Sequence, residues 1–159
     1  MARVLIVGCG CRGRALAAAL IADGHAVRGT TRRAERTAEI EAAGAEAAVA
    51  DPDRLAGVMG AVAGVTVVCW LMGSAVGSPA VHGARLETLM ERLVDTPVRG
   101  VVYEAAGSVG PALTREGATI VRRAALTWRI PVEVVEDDPA HHHRWLERTH
   151  AAVGRLLAA

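Results

Sequence analysis

Apolar and polar positions along this chain follow two rhythms that take turns. Short runs rich in valine and isoleucine predict strands, and longer stretches with an apolar residue every three or four positions predict helices. RVLIV (Arg3–Val7) reads as a buried strand ending at a glycine. Residues 14–24 predict a helix stopped by Gly24, 25–31 a second strand, and 32–44 a charged helix closed by Gly44. Residues 45–50 give a weak third strand. In 51–62 a capping aspartate and a proline at the first helical position predict a helix. VTVVCWLM (65–72) is the strongest strand signal in the chain. A loop (73–80) separates it from a helix over 81–95, with Leu86, Leu89, Met90 and Leu93 on one face. Residues 98–104 predict a fifth strand, 105–111 a loop and 112–129 a long helix. Pro131 opens a sixth strand (131–136), which suits a sheet edge, and a final helix closes the chain.

Six strands alternating with helices predict a three-layer, doubly wound α/β protein. Its sheet is parallel, with order 3-2-1-4-5-6 and a ligand crevice between strands 1 and 4. The 159 residues predict one domain over 1–159, with no linker, no repeat and no room for a separate substrate lobe. With 52% apolar residues, no Phe and one Tyr, the core falls to Ala, Val, Leu and Ile. A net charge of +1 gives no basis for a nucleic-acid or membrane partner. The apolar run at 4–7 is too short for a signal peptide or a membrane span, and three cysteines read as free thiols, so a cytoplasmic protein is expected. Every Lys/Arg position is Arg, which excludes lysine chemistry from within the chain.

The candidate chemistry begins at VGCGCRGRA. Gly8, Gly10 and Gly13 form G-x-G-x-x-G directly after a strand and at the opening of a helix, the context a dinucleotide loop requires. The first glycine permits the tight turn, the second clears space for a pyrophosphate, and the third lets helix and strand pack closely. Backbone N–H groups of Cys11, Arg12 and Gly13 would then face the phosphates. Strand 2 ends in GTTRR, without the carboxylate that bonds the ribose hydroxyls of NAD(H). A guanidinium suits a 2′-phosphate. Arg32 is the main candidate, with Thr31 and Arg33 in support and Arg12 within reach from the loop. Two cations in a first helical turn would oppose its dipole, and an anionic ligand would explain them. The cofactor expected is NADP(H), with NAD(H) as the alternative.

On VLIVGCGCRGRALAAALIADGHAVRGTTRR the chain resembles atypical and extended short-chain dehydrogenases/reductases, in particular small NAD-dependent epimerase/dehydratase-like proteins. The resemblance continues through Asp51, which matches the acidic residue at the adenine, and through VTVVCWLM and VVYEAAGSVG. It implies a Rossmann fold, a bound NAD(P)(H) touching Leu71, Gly73 and Ala105 as well, and hydride chemistry on a sugar nucleotide or small carbonyl compound. Similar proteins dimerise through the helices after strands 4 and 5, which makes a homodimer the implied assembly. The family's Tyr-x-x-x-Lys acid is missing. The only tyrosine is Tyr103, its fourth successor is Gly107, and Ala105 and Ala106 stand where paired serines often lie.

Glu104, at the end of strand 5, is the best remaining acid/base candidate. Ser74 and His82 are weaker ones, and Asp137 and Asp138 lie after strand 6, where Asp138 reads as a helix cap. Trp70 reads as packing that could border a nicotinamide, Cys69 as core, and Cys11 as a small loop residue rather than a redox sensor. His141, His142 and His143 point apart around a helix and lack metal spacing. Two functions are therefore expected: an NADP(H)-dependent oxidoreductase or epimerase-like enzyme acting on an unidentified small molecule, or a non-catalytic NADP(H)-binding sensor working with a protein partner.

Overall fold

The computed structural model describes residues 1–159. Its strands are β1 (Arg3–Val7), β2 (Ala26–Thr31), β3 (Glu46–Val49), β4 (Val67–Trp70), β5 (Gly100–Glu104) and β6 (Val132–Val135). Its helices are α1 (Cys11–Ala22), α2 (Thr37–Ala42), α3 (Leu55–Ala61), α4 (Ala84–Leu93), α5 (Pro111–Trp128) and α6 (His142–Ala158). All strand pairs are parallel, in the order β3-β2-β1-β4-β5-β6. The winding reverses between β1 and β4, where an open α/β sheet leaves a crevice at the C-terminal strand ends.

Strand alternation sorts the side chains onto two faces. Leu5, Val7, Val68, Trp70, Val101 and Tyr103 pack with Val58, Leu89 and Val121 of α3, α4 and α5. Val4, Ile6, Val67, Cys69 and Val102 pack with Leu16 and Leu20 of α1, Ile40 of α2 and Trp145 of α6. Cover on both faces explains why the inner strands read as unbroken apolar runs. Each fully buried Val or Leu contributes about 1.5–3 kcal/mol by leaving water. The same alternation decides where Glu104 goes: two residues past Val102, it faces α1 and α6.

Register aligns Val7, Trp70 and Tyr103 near the C-terminal ends of the central strands. The loops after β1, β4 and β5 therefore open together on one edge.

Several boundaries differ from the sequence expectation, and each has a local cause. β4 is shorter than 65–72; Leu71 still donates to Val7 O at 3.0 Å before the chain turns away. The helix expected over 32–44 is a 3₁₀ turn (Ala34–Arg36) followed by the short α2. Thr31 Oγ1 accepts the Arg33 N–H at 3.2 Å and holds Arg33 extended, a side-chain bond that competes with helix formation. Arg32 and Arg33 thus precede the helix, and no helix dipole opposes them. Asp51 and Pro52 do not open α3 either. Asp51 Oδ1 accepts the Asp53 N–H at 2.9 Å, forming a turn, and the helix begins only at Leu55. The expected 81–95 helix is interrupted at Gly83, with a 3₁₀ turn (Pro79–His82) ahead of α4. Pro111 belongs to α5, as its first residue, rather than to the loop. Asp138 caps the turn before α6, accepting the Ala140 N–H at 2.9 Å, and His141 is the residue preceding the helix.

Candidate functional site

The loop after β1 is shaped by its glycines. Gly8 adopts φ +85°, a region L side chains avoid, and a Cβ there would meet Met72 Cε and lie 2.6 Å from Leu71 O. Gly13 sits 3.2 Å, measured from where a Cβ would stand, from Gly8 O, so helix and strand close on each other. Gly10 is different. A Cβ there would touch nothing within 4 Å, because it would project into open space in front of α1. The Gly10 position before α1 has no side-chain cap, and the free N–H groups of the first turn face that space.

The space is part of a cleft of about 270 Å³ along the C-terminal edge of the sheet. Gly8, Gly10, Cys11, Arg12 and Gly13 line its centre, Thr31, Arg32 and Asp51 lie at the β2–β3 end, and Leu71 and Glu104 lie at the β4–β5 end. Three residues expected there do not line it. Arg33 is exposed on an extended backbone and stands outside the lining. Gly73 is buried under Ala106 O, which a Cβ would meet. The Ala105 N–H is held by Val135 O at 2.8 Å, as a continuation of the sheet.

At the β2 end three guanidinium groups, of Arg14, Arg32 and Arg36, line the cleft together with the Asp51 and Asp53 carboxylates. Arg14 and Arg36 share one carboxylate, Glu39, at 3.2 and 3.7 Å. Arg32 has no carboxylate partner; its Nη1 lies 3.4 Å from where a Cβ of Gly77 would stand, in the loop after β4. Arg36, four residues after Arg32, lines the cleft with it, although the sequence reading did not single it out. The Arg-x-x-x-Arg spacing was the available signal. Arg12, expected to join this group, points elsewhere: its Nε donates to Pro139 O at 2.8 Å, in the loop before α6, and its charge bears on Glu104.

Glu104 is 4% exposed. Its Oε1 accepts the Gly73 N–H at 2.8 Å. Burial pushes the carboxyl up to about 7, against the opposing pull of the Gly73 N–H, Trp145 and Arg12. A carboxyl balanced between its two forms near neutrality can give or take a proton.

Tyr103 and His82 are closed off from the cleft. The Tyr103 hydroxyl is 2.6 Å from His82 Nδ1, and His82 Nε2 is 3.0 Å from Met72 O. A carbonyl only accepts, so Nε2 carries the proton and Nδ1 accepts from the hydroxyl. Burial raises the Tyr103 hydroxyl and lowers His82, which leaves both neutral. His82, expected as a minor acid/base candidate, is therefore a structural clamp on the strand ends. Trp70 is likewise inside the core, its Nε1 donating to Val81 O at 2.9 Å, and it does not border the cleft. Ser74 does line it, with Oγ accepting the Ser108 N–H at 3.2 Å.

Cys11 is exposed at the start of α1, whereas Cys9 and Cys69 are buried, with burial holding the Cys9 thiol up at about 11. Asp137, Asp138 and the three adjacent histidines stand outside the cleft lining. No helix is long and apolar enough to cross a membrane.

No protein-family model matches the chain, and no curated protein sequence does. Solved structures do match in fold. A short-chain dehydrogenase/reductase superfamily protein from Agrobacterium tumefaciens, solved with bound NAD, superposes with a TM-score of 0.66 at 21% identity, over 83% of this chain and 48% of that one. Triphenylmethane reductase from Citrobacter, complexed with NADP(H), gives 0.64 at 19% identity, over 83% and 48%. A UDP-galactose 4-epimerase gives 0.68 at 20% identity, over 84% and 55%. The chain thus spans about half the length of these structures. With about one residue in five identical, what they share with it is the architecture: this chain has their doubly wound, Rossmann-type α/β fold.

Proposed function

We propose that this chain binds NADP(H) in the cleft and reduces a small carbonyl compound, with Glu104 as the proton donor. The observation that carries the cofactor assignment is the Arg32 guanidinium, without a carboxylate partner, lining the cleft with Arg36 past the end of a β2 that offers no carboxylate. The open direction at Gly10 supports the same reading, since a pyrophosphate needs that space and the N–H groups behind it. Gly8, Gly10, Cys11, Arg12 and Gly13 would hold the pyrophosphate, Thr31, Arg32 and Arg36 the 2′-phosphate, Asp51 the adenosine end, and Leu71 would lie against the other half of the nucleotide. That the solved structures of like fold include proteins bound to NAD and to NADP(H) adds weight.

A nicotinamide cofactor of this kind supplies a hydride to a carbonyl carbon. The proton that completes the alcohol goes from the Glu104 carboxyl to the carbonyl oxygen. Only the protonated form donates, so the rate of reduction falls as pH rises through about 7. The test is NADPH oxidation over a panel of aldehydes and ketones. Glu104→Gln is expected to lower kcat at least a hundredfold and to leave NADPH affinity within twofold. Unchanged turnover in that variant would remove Glu104 from the chemistry.

A second reading is favoured by one observation. The only tyrosine has its hydroxyl committed to a buried histidine. On that reading the chain is a non-catalytic NADP(H)-dependent module, and it would bind the cofactor while turning over none of the panel.

A further inference from the structure

The inner face of α6 presents one side chain whose chemistry is unaccounted for. Trp145 is fully buried, yet its indole Nε1 has no hydrogen-bond partner, and no other buried side-chain nitrogen or oxygen is left in that state. The contrast with Trp70 is direct: that equally buried indole donates to Val81 O at 2.9 Å. Trp145 also lines the cleft, and its neighbour there is Glu104. One carboxyl oxygen is taken by the Gly73 N–H, while the indole stands close without making a bond of ordinary geometry.

We propose that Trp145 Nε1–H and the Glu104 carboxyl form a subsite for a neutral carbonyl group, with the indole donating to its oxygen. A neutral group fits best. A carboxylate would bring a second negative charge against Glu104 in a buried place, and an ammonium would meet the indole N–H donor instead of an acceptor. Two ligands carry this chemistry. One is a primary carboxamide such as that of nicotinamide, whose oxygen accepts a hydrogen bond from the indole N–H while its NH₂ faces an ionised Glu104. The other is an aldehyde or ketone substrate, whose oxygen accepts from both the indole and a protonated Glu104. The subsite rests on the dinucleotide reading of the same cleft.

The probes are NADP⁺ and 2′-phospho-ADP-ribose, which lacks the nicotinamide, titrated by calorimetry into wild type and Trp145→Phe, together with the carbonyl panel. Trp145→Phe keeps an aromatic ring in the core and removes the N–H; the smaller ring leaves part of the indole volume unfilled, so its melting temperature should fall by a few degrees. A tenfold loss for NADP⁺ with none for 2′-phospho-ADP-ribose supports the subsite and assigns it to the carboxamide. Unchanged affinities with a tenfold fall in kcat/KM supports it and assigns it to the substrate. If no carbonyl is turned over, the dinucleotide titrations alone decide. Wild-type binding that Trp145→Phe leaves intact, with any turnover unaltered, overturns the subsite alone. Wild type that binds neither probe overturns the dinucleotide reading, and the subsite with it. Should Trp145→Phe melt far below wild type, the indole N–H resonances of the wild-type protein decide instead: a shift in one of them with NADP⁺ and not with 2′-phospho-ADP-ribose, or with a carbonyl that is turned over, supports the subsite, and no shift with any of these overturns it.

Discussion

Glu104 sets a pH dependence that can be read without any ligand. Its carboxyl titrates near 7 in the folded chain, against about 4.5 for an ordinary glutamate, because burial penalises the charge. Between those values the folded state holds a proton that the unfolded state has released. Stability therefore falls as pH rises from about 4.5 to about 7, by on the order of 3 kcal/mol. Glu104→Gln keeps an acceptor for the Gly73 N–H and carries no charge. Urea unfolding at pH 5 and pH 8 should show that variant losing less stability than wild type over this window. Equal losses in the two proteins would mean that Glu104 is not held in the way its surroundings imply. The cost is a physical reason to assign the residue a task, since a leucine at the end of β5 would carry none of it.

At the scale of the β1–α1 element, the three glycines divide between building the loop and leaving room. Gly8 has a positive φ and Leu71 O pressed against it, so Gly8→Ala should cost about 2–4 kcal/mol. Gly10 has neither constraint, with φ −83° and nothing within 4 Å of a Cβ. Gly10→Ala should unfold within about 0.5 kcal/mol of wild type while weakening dinucleotide binding at least tenfold. Thermal melts beside a binding isotherm separate the two variants. A Gly10→Ala protein that binds as wild type does would show that the space in front of α1 is not a phosphate site. Helices α2 and α3 show the opposite case, in which local chemistry overrides a sequence pattern. Thr31 and Asp51 side chains bond the backbone two residues on, and each delays the helix that follows.

Across the whole molecule, the order of the strands and the switch point were legible in the sequence, because buried parallel strands such as VLIV and VTVVCW leave little else they can be. The glycine loop was legible for the same reason, since its spacing has meaning only between a strand and a helix. The arginine-rich β2 end was half legible. Arg32 stood out next to the strand, but the guanidinium cluster with Arg14 and Arg36 depends on how a 3₁₀ turn and α1 meet. The direction of the Arg12 side chain was not legible, because it is fixed by Pro139 O, a carbonyl 127 residues away. Trp145 carried no signal at all; only the approach of α6 to β5 makes its unpaired indole visible.

The central claim is that the Arg32 end of the cleft is built for a 2′-phosphate, and one comparison tests it most directly. NADPH and NADH are titrated by calorimetry into wild type and into an Arg32→Ala/Arg36→Ala variant. NADPH should bind wild type at least tenfold more tightly than NADH, and the variant should lose that preference while keeping its NADH affinity, as expected for charge-assisted bonds to one phosphate. Equal affinity of wild type for the two, or tighter binding of NADH, would contradict it.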